Sequence, residues 1–517
     1  MRRRKVVDCH DYFKYLRNAM GIIIRQSFWG SVIIYTGVVI GYVNTLILFP
    51  YFLDVEQMGL VRLIQSNGLM FVPLALLGIN GAYLKYQPDF QDDITTKNRI
   101  ITLHLIIILA ASLFFSLIGY LSIDYIKSIF EEKADAYNDF LLITLVIFIT
   151  QSLFNYLGTY LWTHYNITAQ NFLNEILLRL VNLILLVLYG YGIVSFDLFM
   201  SLVGINYFLT LLLLIIYIQL KYPMHWQWDF YRLSHDWLSK LTRFSGYSLV
   251  LTVGSSILMY ISYFQTTKYL GLEANGIFTI AVFIGAIIEL PRRVITQIIS
   301  PFISDNFKKN EMDKVTDAYR SSSLNLSAIG FLLAIGIITN VSDLFHIIPK
   351  GEVFMQGFLL IILVSISKII SMVSGISAEI ILYSKYKADN IVIMVIGAVA
   401  LIVLNALFIP IWSITGAGIA LLAATFLNMG LRVLAVFVKL RMSPFTQKHL
   451  YLVFISVPVF IVAYYLPIGA SPVPNILIRS AGTSILFVAL IYIVRVSPEV
   501  NQLIDLFFQK AKRIFQS

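Results

Sequence analysis

Charge is scarce in this chain. Only 13% of its 517 residues are Asp, Glu, Lys or Arg, against roughly a quarter in soluble proteins. Apolar residues make up 58%, and the mean hydropathy is +0.81. A water-soluble fold of this length has too little interior to hide that much apolar surface. Cysteine is almost missing as well. The one thiol, Cys9, can form no internal disulfide and has no C-x-x-C partner for a metal. There is no G-x-x-x-x-G-K-[ST] loop, so ATP hydrolysis by a P-loop is excluded. No H-x-x-x-H spacing and no Ser-His-Asp arrangement occurs, so neither a metal nor another cofactor is expected. His104 and His346 lie near the ends of apolar runs and read as interfacial.

What is present is a series of apolar runs of membrane-spanning length, each needing roughly 20 residues. They fall near 27–52, 59–83, 99–123, 140–163, 169–190, 196–220, 244–268, 275–301, 322–346, 353–382, 388–410, 413–438, 448–467 and 475–495. The fold class is therefore an all-α polytopic membrane protein with about fourteen spans. The positive-inside rule tests the map. With both termini in the cytoplasm, inner segments hold 27 of the 38 Lys and Arg residues, and outer segments hold four: Lys127, Lys133, Lys268 and Lys350. The net charge of +10 follows from this inner-face bias and calls for no nucleic-acid partner. The first 26 residues carry Arg2, Arg3, Arg4 and Lys5 but no apolar stretch ending in a small-residue cleavage site. They are expected to lie along the cytoplasmic face rather than act as a signal peptide. Residues 497–517 mix Leu503, Phe507 and Phe508 with Lys510, Lys512 and Arg513, the pattern of an amphipathic surface helix.

An internal repeat runs at an offset of 217 residues. Tyr51-Phe-Leu-Asp-Val-Glu-Gln-Met-Gly59 meets Lys268-Tyr-Leu-Gly-Leu-Glu-Ala-Asn-Gly276. Leu53 then faces Leu270, Glu56 faces Glu273, and Gly59 faces Gly276. The register persists to Asp89-Phe90 against Asn306-Phe307. Six spans separate the copies, an even number, so both halves enter the membrane in the same sense. The organisation expected is a six-helix lobe at 27–220, a linker at 221–243, a second six-helix lobe at 244–440, two added spans at 441–496 and the tail. Two parallel halves are a transporter architecture.

The same residues carry a family resemblance. The hairpin from Leu48 to Leu60, followed by Leu77-Gly-Ile-Asn-Gly-Ala-Tyr-Leu-Lys-Tyr-Gln-Pro-Asp-Phe90, resembles the opening of polysaccharide flippases. These handle O-antigen, capsule or exopolysaccharide units and belong to the multidrug/oligosaccharidyl-lipid/polysaccharide exporter superfamily. Thr415-Gly-Ala-Gly-Ile-Ala420 is similar to the start of that family's twelfth helix. The resemblance implies two lobes around a cavity that opens alternately to either face. It implies a polyprenyl-diphosphate-linked oligosaccharide as cargo, moved outward across a bacterial inner membrane. The partners it implies are that lipid-linked oligosaccharide, membrane lipids, and the polysaccharide polymerase and chain-length regulator of the same pathway. Two features depart from relatives. The first span, Ser27 to Phe52, has no acidic residue of the kind that drug exporters use for cation coupling. The seventh span ends Tyr263-Phe-Gln-Thr-Thr-Lys268 without the usual Asp.

Ionisable residues inside spans are costly, so they mark cavities or partners. The first half offers Arg62 in the second span, and Glu175 with Arg179 in the fifth. The second half offers Glu289, Arg292 and Arg293 in the eighth span and Lys368 in the tenth. Arginine stays ionised in a low-dielectric site and grips phosphate through two hydrogen bonds. Arg62, Arg179, Arg292, Arg293 and Lys368 are therefore the candidates to hold a diphosphate, with Glu175 and Glu289 as ion-pair or coupling candidates. Blander readings stand beside these. Glu175 and Arg179, four apart, suit a structural pair, and Arg62 lies close enough to the outer end to snorkel. Arg292 and Arg293 are adjacent and cannot share one helix face. Arg432 and Glu379 read as interfacial, and Arg479 merely starts the last span. Pro291 is expected to disturb the eighth helix. Gly37-x-x-x-Gly41 is a weak close-packing signal. The rival within transport is a cation-coupled drug or metabolite exporter of the same fold. Its mark would be a buried carboxylate in the first lobe, where only Glu175 qualifies.

Overall fold

The computed structural model describes residues 29–502 and 505, apart from 31, 91–92, 131–134, 165, 467–468 and 470. Cys9, the basic start, the loop charges at Glu131, Glu132 and Lys133, and most of the amphipathic tail lie outside the described residues. Among those described there is no β-strand. In hydrocarbon a backbone must satisfy its own polar groups, and a helix does so within one segment.

The spans in chain order are α1 Val32–Phe52, α2 Val55–Leu76, α3 Ile94–Leu121, α4 Leu141–Trp162, α5 Thr168–Gly190, α6 Phe196–Lys221, α7 His235–Leu270, α8 Leu272–Thr296 and α9 Met312–Ile347. Next comes α10, a pair, Phe358–Val373 and Ser377–Tyr383, bent by 44°. The helix Lys387–Leu440 follows, and its 54 residues would measure about 80 Å at 1.5 Å per residue, over twice the roughly 30 Å of hydrocarbon. It is broken at Trp412 and Ser413, where Ser413 takes φ 53°. Its arms, 387–411 and 414–440, are α11 and α12. The chain ends in α13 Gln447–Tyr465 and α14 Pro472–Val494. Among the described residues, twelve helices are long and apolar enough to cross a membrane. Counting the bent pair as one span and the broken helix as two recovers every segment that hydropathy predicts.

Several helices are irregular. α2 ends at Leu77 and Gly78, both left-handed (φ 48° and 72°), before a short helix, Ile79–Tyr86, resumes. A Cβ on Gly78 would run into the Ser245 carbonyl, so only glycine fits this turn. α1 and α5 each contain a π-helical stretch, Val43–Leu48 and Phe172–Leu177. Such bulges recur at functional positions.

The chain forms two compact units. One comprises Met1–Phe52, Asn67–Ile126 and Asn138–Val253; the other comprises Leu53–Ser66, Lys127–Tyr137 and Gly254–Ser517. The core of the first is built on Tyr83, Ile100, Ile108, Phe154, Tyr156 and Leu214. His104 belongs to that core: it is 1% exposed, and its Nδ1 lies 2.9 Å from the Tyr156 hydroxyl. The interfacial position expected for it is thus corrected. The linker after α6 is held to the start of α3 by Arg99, which donates to both carboxylate oxygens of Asp229 at 3.0 and 2.6 Å.

Leu53–Ser66 groups with the second unit through the repeat itself. Gly59 packs against the Leu272 carbonyl, and Gly276 packs against the Val55 carbonyl. Adding the offset of 217 turns one contact into the other. That is the reciprocity of a two-fold related pair, and it makes the sequence repeat a repeat in space. Asn275 adds a hydrogen bond to the Gly59 carbonyl at 2.9 Å. Lys350 reaches the Leu53 carbonyl at 2.7 Å and Asp54 at 2.9 Å. Elsewhere in this unit α13 and α14 pack on α9 through Leu324, Ile335, Leu452, Val459 and Phe487. Arg479 fixes them there. It pairs with Asp343 of α9 at 2.6 Å, both side chains mostly buried, and donates to the Thr339 carbonyl at 2.9 Å.

Candidate functional site

α8 is not a plain helix where its charges lie. Pro291 has no N–H to donate, and the preceding residues Ile287–Glu289 tighten into a 3₁₀ turn before the helix resumes at Leu290. That local change presents Glu289 and Arg292 to α10. Lys368 of α10 donates to Glu289 Oε2 at 2.6 Å. Ser371, one turn further along α10, donates to Glu289 Oε1 at 3.0 Å. Arg292 donates to the Ser371 hydroxyl at 2.6 Å and stands 3.7 Å from Glu289 Oε1. Three of the residues singled out in the sequence therefore meet in one cluster, with two cations to one carboxylate. Their side chains are 11% (Arg292), 23% (Lys368) and 25% (Glu289) exposed. Arg293 is turned away, exposed, and forms no ion pair among the described residues.

The neighbourhood holds more charge than the sequence suggested. Arg432 of α12 is 6% exposed, not interfacial. Its Nε has no hydrogen-bond partner among the described residues. Its charge acts on Arg292 and on Glu379, and Glu379 keeps a buried carboxylate oxygen without a partner among the described residues. Hydropathy placed both near a boundary because they lie close to helix ends. It could not register that α9, α10 and α12 bury those ends through Tyr319, Ile380 and Val436.

In the first unit Arg179 donates to Glu175 at 2.5 Å and also to the carbonyl of Gly37. Gly37 and Gly41 are what admit this pair: a Cβ on Gly37 would meet Glu175, and one on Gly41 would meet the Arg179 guanidinium. The small-x-x-x-small signal in α1 is thus a seat for an ion pair of α5. Asn44, in the π stretch of α1, donates to the Arg179 carbonyl at 3.0 Å.

Arg62 sits elsewhere. It donates to the Tyr263 hydroxyl at 2.9 Å and stacks over that ring at 4.3 Å. The repeat also separates it from Arg292. With an offset of 217, Arg62 corresponds to Thr279, while Arg292 corresponds to Ala75. Thirteen residues of helix, about 20 Å of rise, lie between equivalent positions. Spans two and eight are thus equivalent in the repeat, but their charges are not at one level.

Solved structures of similar fold include transporters. A lipid II flippase, MurJ, in an inward closed conformation superposes with a TM-score of 0.73 at 12% identity, covering 90% of this chain and 98% of that one. A multidrug resistance MATE family transporter of the MOP superfamily, inward-facing, gives 0.57 at 12% identity over 80% of this chain and 98% of that one. An outward-facing conformation of a multidrug resistance MATE family transporter gives 0.52 at 12% identity over 81% and 95%. No protein-family model and no curated protein matches the chain. At this identity the likeness is one of fold, and this chain shares that fold.

Proposed function

We propose that this protein is a flippase that moves a polyprenyl-diphosphate-linked oligosaccharide from the cytoplasmic to the outer leaflet by alternating access, for surface polysaccharide assembly. The observation that carries the reading is the cluster of Lys368, Arg292 and Glu289 set within this fold. A diphosphate is a compact, multiply charged anion. Two cations in a partly dehydrated site, one of them a guanidinium, match it in sign and in hydrogen-bond geometry. Glu289 holds both cations in place while no cargo is bound, and the diphosphate replaces it. Arg179, paired with Glu175, is a third candidate cation, and Arg62, stacked over the Tyr263 ring, a fourth. The flippase of known structure is a protein whose name gives a lipid-linked precursor as cargo, which agrees in chemical class.

The exporter reading is weaker on one point. Its mark would be a carboxylate in the first unit able to take up a cation, and Glu175 is already neutralised by Arg179. The deciding experiment deletes the gene in its host and measures extracted lipid-linked oligosaccharides by mass spectrometry, together with surface polysaccharide. Accumulated lipid-linked repeat units with loss of surface polymer support the flippase and identify the cargo. Unchanged lipid-linked sugars with altered drug or metabolite sensitivity support the exporter.

A further inference from the structure

The second unit has a cavity away from the charged cluster. It measures about 500 Å³ and is lined by Asp317, Arg320, Ser321 and Leu324 of α9, by Thr446, Gln447 and Lys448 where α13 begins, and by Pro498 and Glu499 just beyond α14. The α9 residues stand at i, i+3, i+4 and i+7, so one helix face is turned to the cavity. Opposite charges three apart on a helix ordinarily pair. Asp317 and Arg320 do not: along with Lys448, their side chains take part in no hydrogen bond or ion pair among the described residues. Glu499 is fixed on the opposite wall, accepting from Ser321 at 2.6 Å and from Ser497 at 3.0 Å. The cavity therefore offers two uncommitted cations and one uncommitted carboxylate, with a second carboxylate behind.

Its depth narrows the ligand. α13 starts and α14 stops at this level, so it marks the boundary between hydrocarbon and headgroups. α9 is 36 residues long, about 54 Å against roughly 30 Å of hydrocarbon, so its first turns stand clear of the apolar layer. Below Lys448, exposed Leu450, Phe454, Val457 and Ile461 run down one side of α13 at spacings of four, three and four. That is an apolar track for an acyl chain.

We infer that this cavity binds the headgroup of an amine-bearing phospholipid such as phosphatidylethanolamine. Arg320 and Lys448 take the phosphate, Asp317 takes the ammonium, and the acyl chains lie along α13. A purely anionic headgroup or free phosphate would satisfy the cations and leave Asp317 opposed to it. The site is independent of what the transporter carries.

The test is native mass spectrometry of the full chain, purified in detergent, stripped of lipid and titrated with phosphatidylethanolamine, phosphatidylglycerol or inorganic phosphate. The wild type should retain phosphatidylethanolamine in preference to the other two. The double variant Arg320→Gln/Lys448→Gln should retain roughly tenfold less of it, since two charge-assisted hydrogen bonds are lost. Asp317→Asn should lower phosphatidylethanolamine retention and raise that of phosphatidylglycerol, whose repulsion by the carboxylate it relieves. These side chains carry no structural contact, so the variants should melt with the wild type. As a second check, Ser321→Trp, which fills the cavity, should displace the lipid. Equal retention by wild type and double variant, or a preference for phosphatidylglycerol or phosphate, overturns the inference.

Discussion

Replacing Lys368 by methionine, Glu289 by glutamine, and both together separates a working charge site from a structural ion pair. The attraction between Lys368 and Glu289 at 2.6 Å is about 6 kcal/mol gross for an effective dielectric near 20, and that of Arg292 at 3.7 Å is about 4 kcal/mol. Dehydration offsets most of each. Because the side chains keep up to a quarter of their exposure, the net cost of removing one partner should be about 2 kcal/mol, below the 3–5 kcal/mol of a fully buried pair. Both single variants should therefore melt a few degrees lower in detergent, and the double variant should recover part of that loss. Binding should split them. Lys368→Met removes a phosphate ligand and should weaken a polyprenyl-diphosphate sugar by about 10- to 100-fold. Glu289→Gln removes the internal competitor and should tighten binding while slowing release. In a flipping assay with reconstituted protein the double variant should remain as impaired as Lys368→Met alone. If it regains wild-type flipping, the pair is only structural and the site assignment fails.

Further outcomes follow from other contacts. Arg292→Ala should abolish flipping while Arg293→Ala leaves it within about twofold, because only Arg292 joins the cluster; equal losses would show that the cluster does not mark the site. Gly59→Ala and Gly276→Ala each push a Cβ into a backbone carbonyl and should destabilise by about 1–3 kcal/mol in thermal unfolding. Their effects should match within a factor of two, and a larger mismatch would refute the two-fold equivalence. Arg479→Ala strands buried Asp343 and should cost about 3 kcal/mol, read as early proteolysis between α12 and α14, with flipping by intact protein preserved. The Arg99 guanidinium, hydrogen-bonded to Asp229, holds that carboxyl below the usual carboxylate range. A depressed carboxyl stabilises the fold above its unfolded pKa and loses that contribution as pH falls through the folded value. Melting points should thus decline below about pH 4, and Asp229→Asn should remove that part of the decline.

Much of the architecture was legible because bilayer thickness and backbone satisfaction leave the chain few choices. Every apolar run became a helix, including the broken α10 and the divided helix of α11 and α12, whose breaks lie at Gly375 and Ser413, both with positive φ. The repeat was legible for a related reason: Gly59 and Gly276 sit where backbones touch, and no larger residue fits there. The site was legible only in part. Burying an ion inside a span is expensive enough that Glu289, Arg292 and Lys368 stood out one by one. Their meeting depends on the 3₁₀ turn before Pro291 and on how α8 packs on α10, and neither is written in composition. Arg432 and His104 were misplaced because a position near a helix end reads as interfacial in one dimension. In three dimensions neighbouring helices covered both.

The two repeats also show where symmetry stops. At Gly59 and Gly276 the copies are interchangeable, because close approach of two helix backbones tolerates one side-chain size on both sides. One to four turns further along the same helices they diverge. In the shared register Glu289 and Arg292 correspond to Val72 and Ala75, which are 5% and 0% exposed. An apolar pair in the first copy thus stands where the second carries a carboxylate and a guanidinium. Had the charges been structural devices of the repeat, the same packing would require them in both copies. The fold is evidently held without them in α2. Charge in α8 therefore costs dehydration that the architecture does not need, a cost that the proposed anionic cargo would account for. Installing the pair in the first copy, as Val72→Glu/Ala75→Arg, should destabilise the protein and should not rescue flipping in a Lys368→Met background.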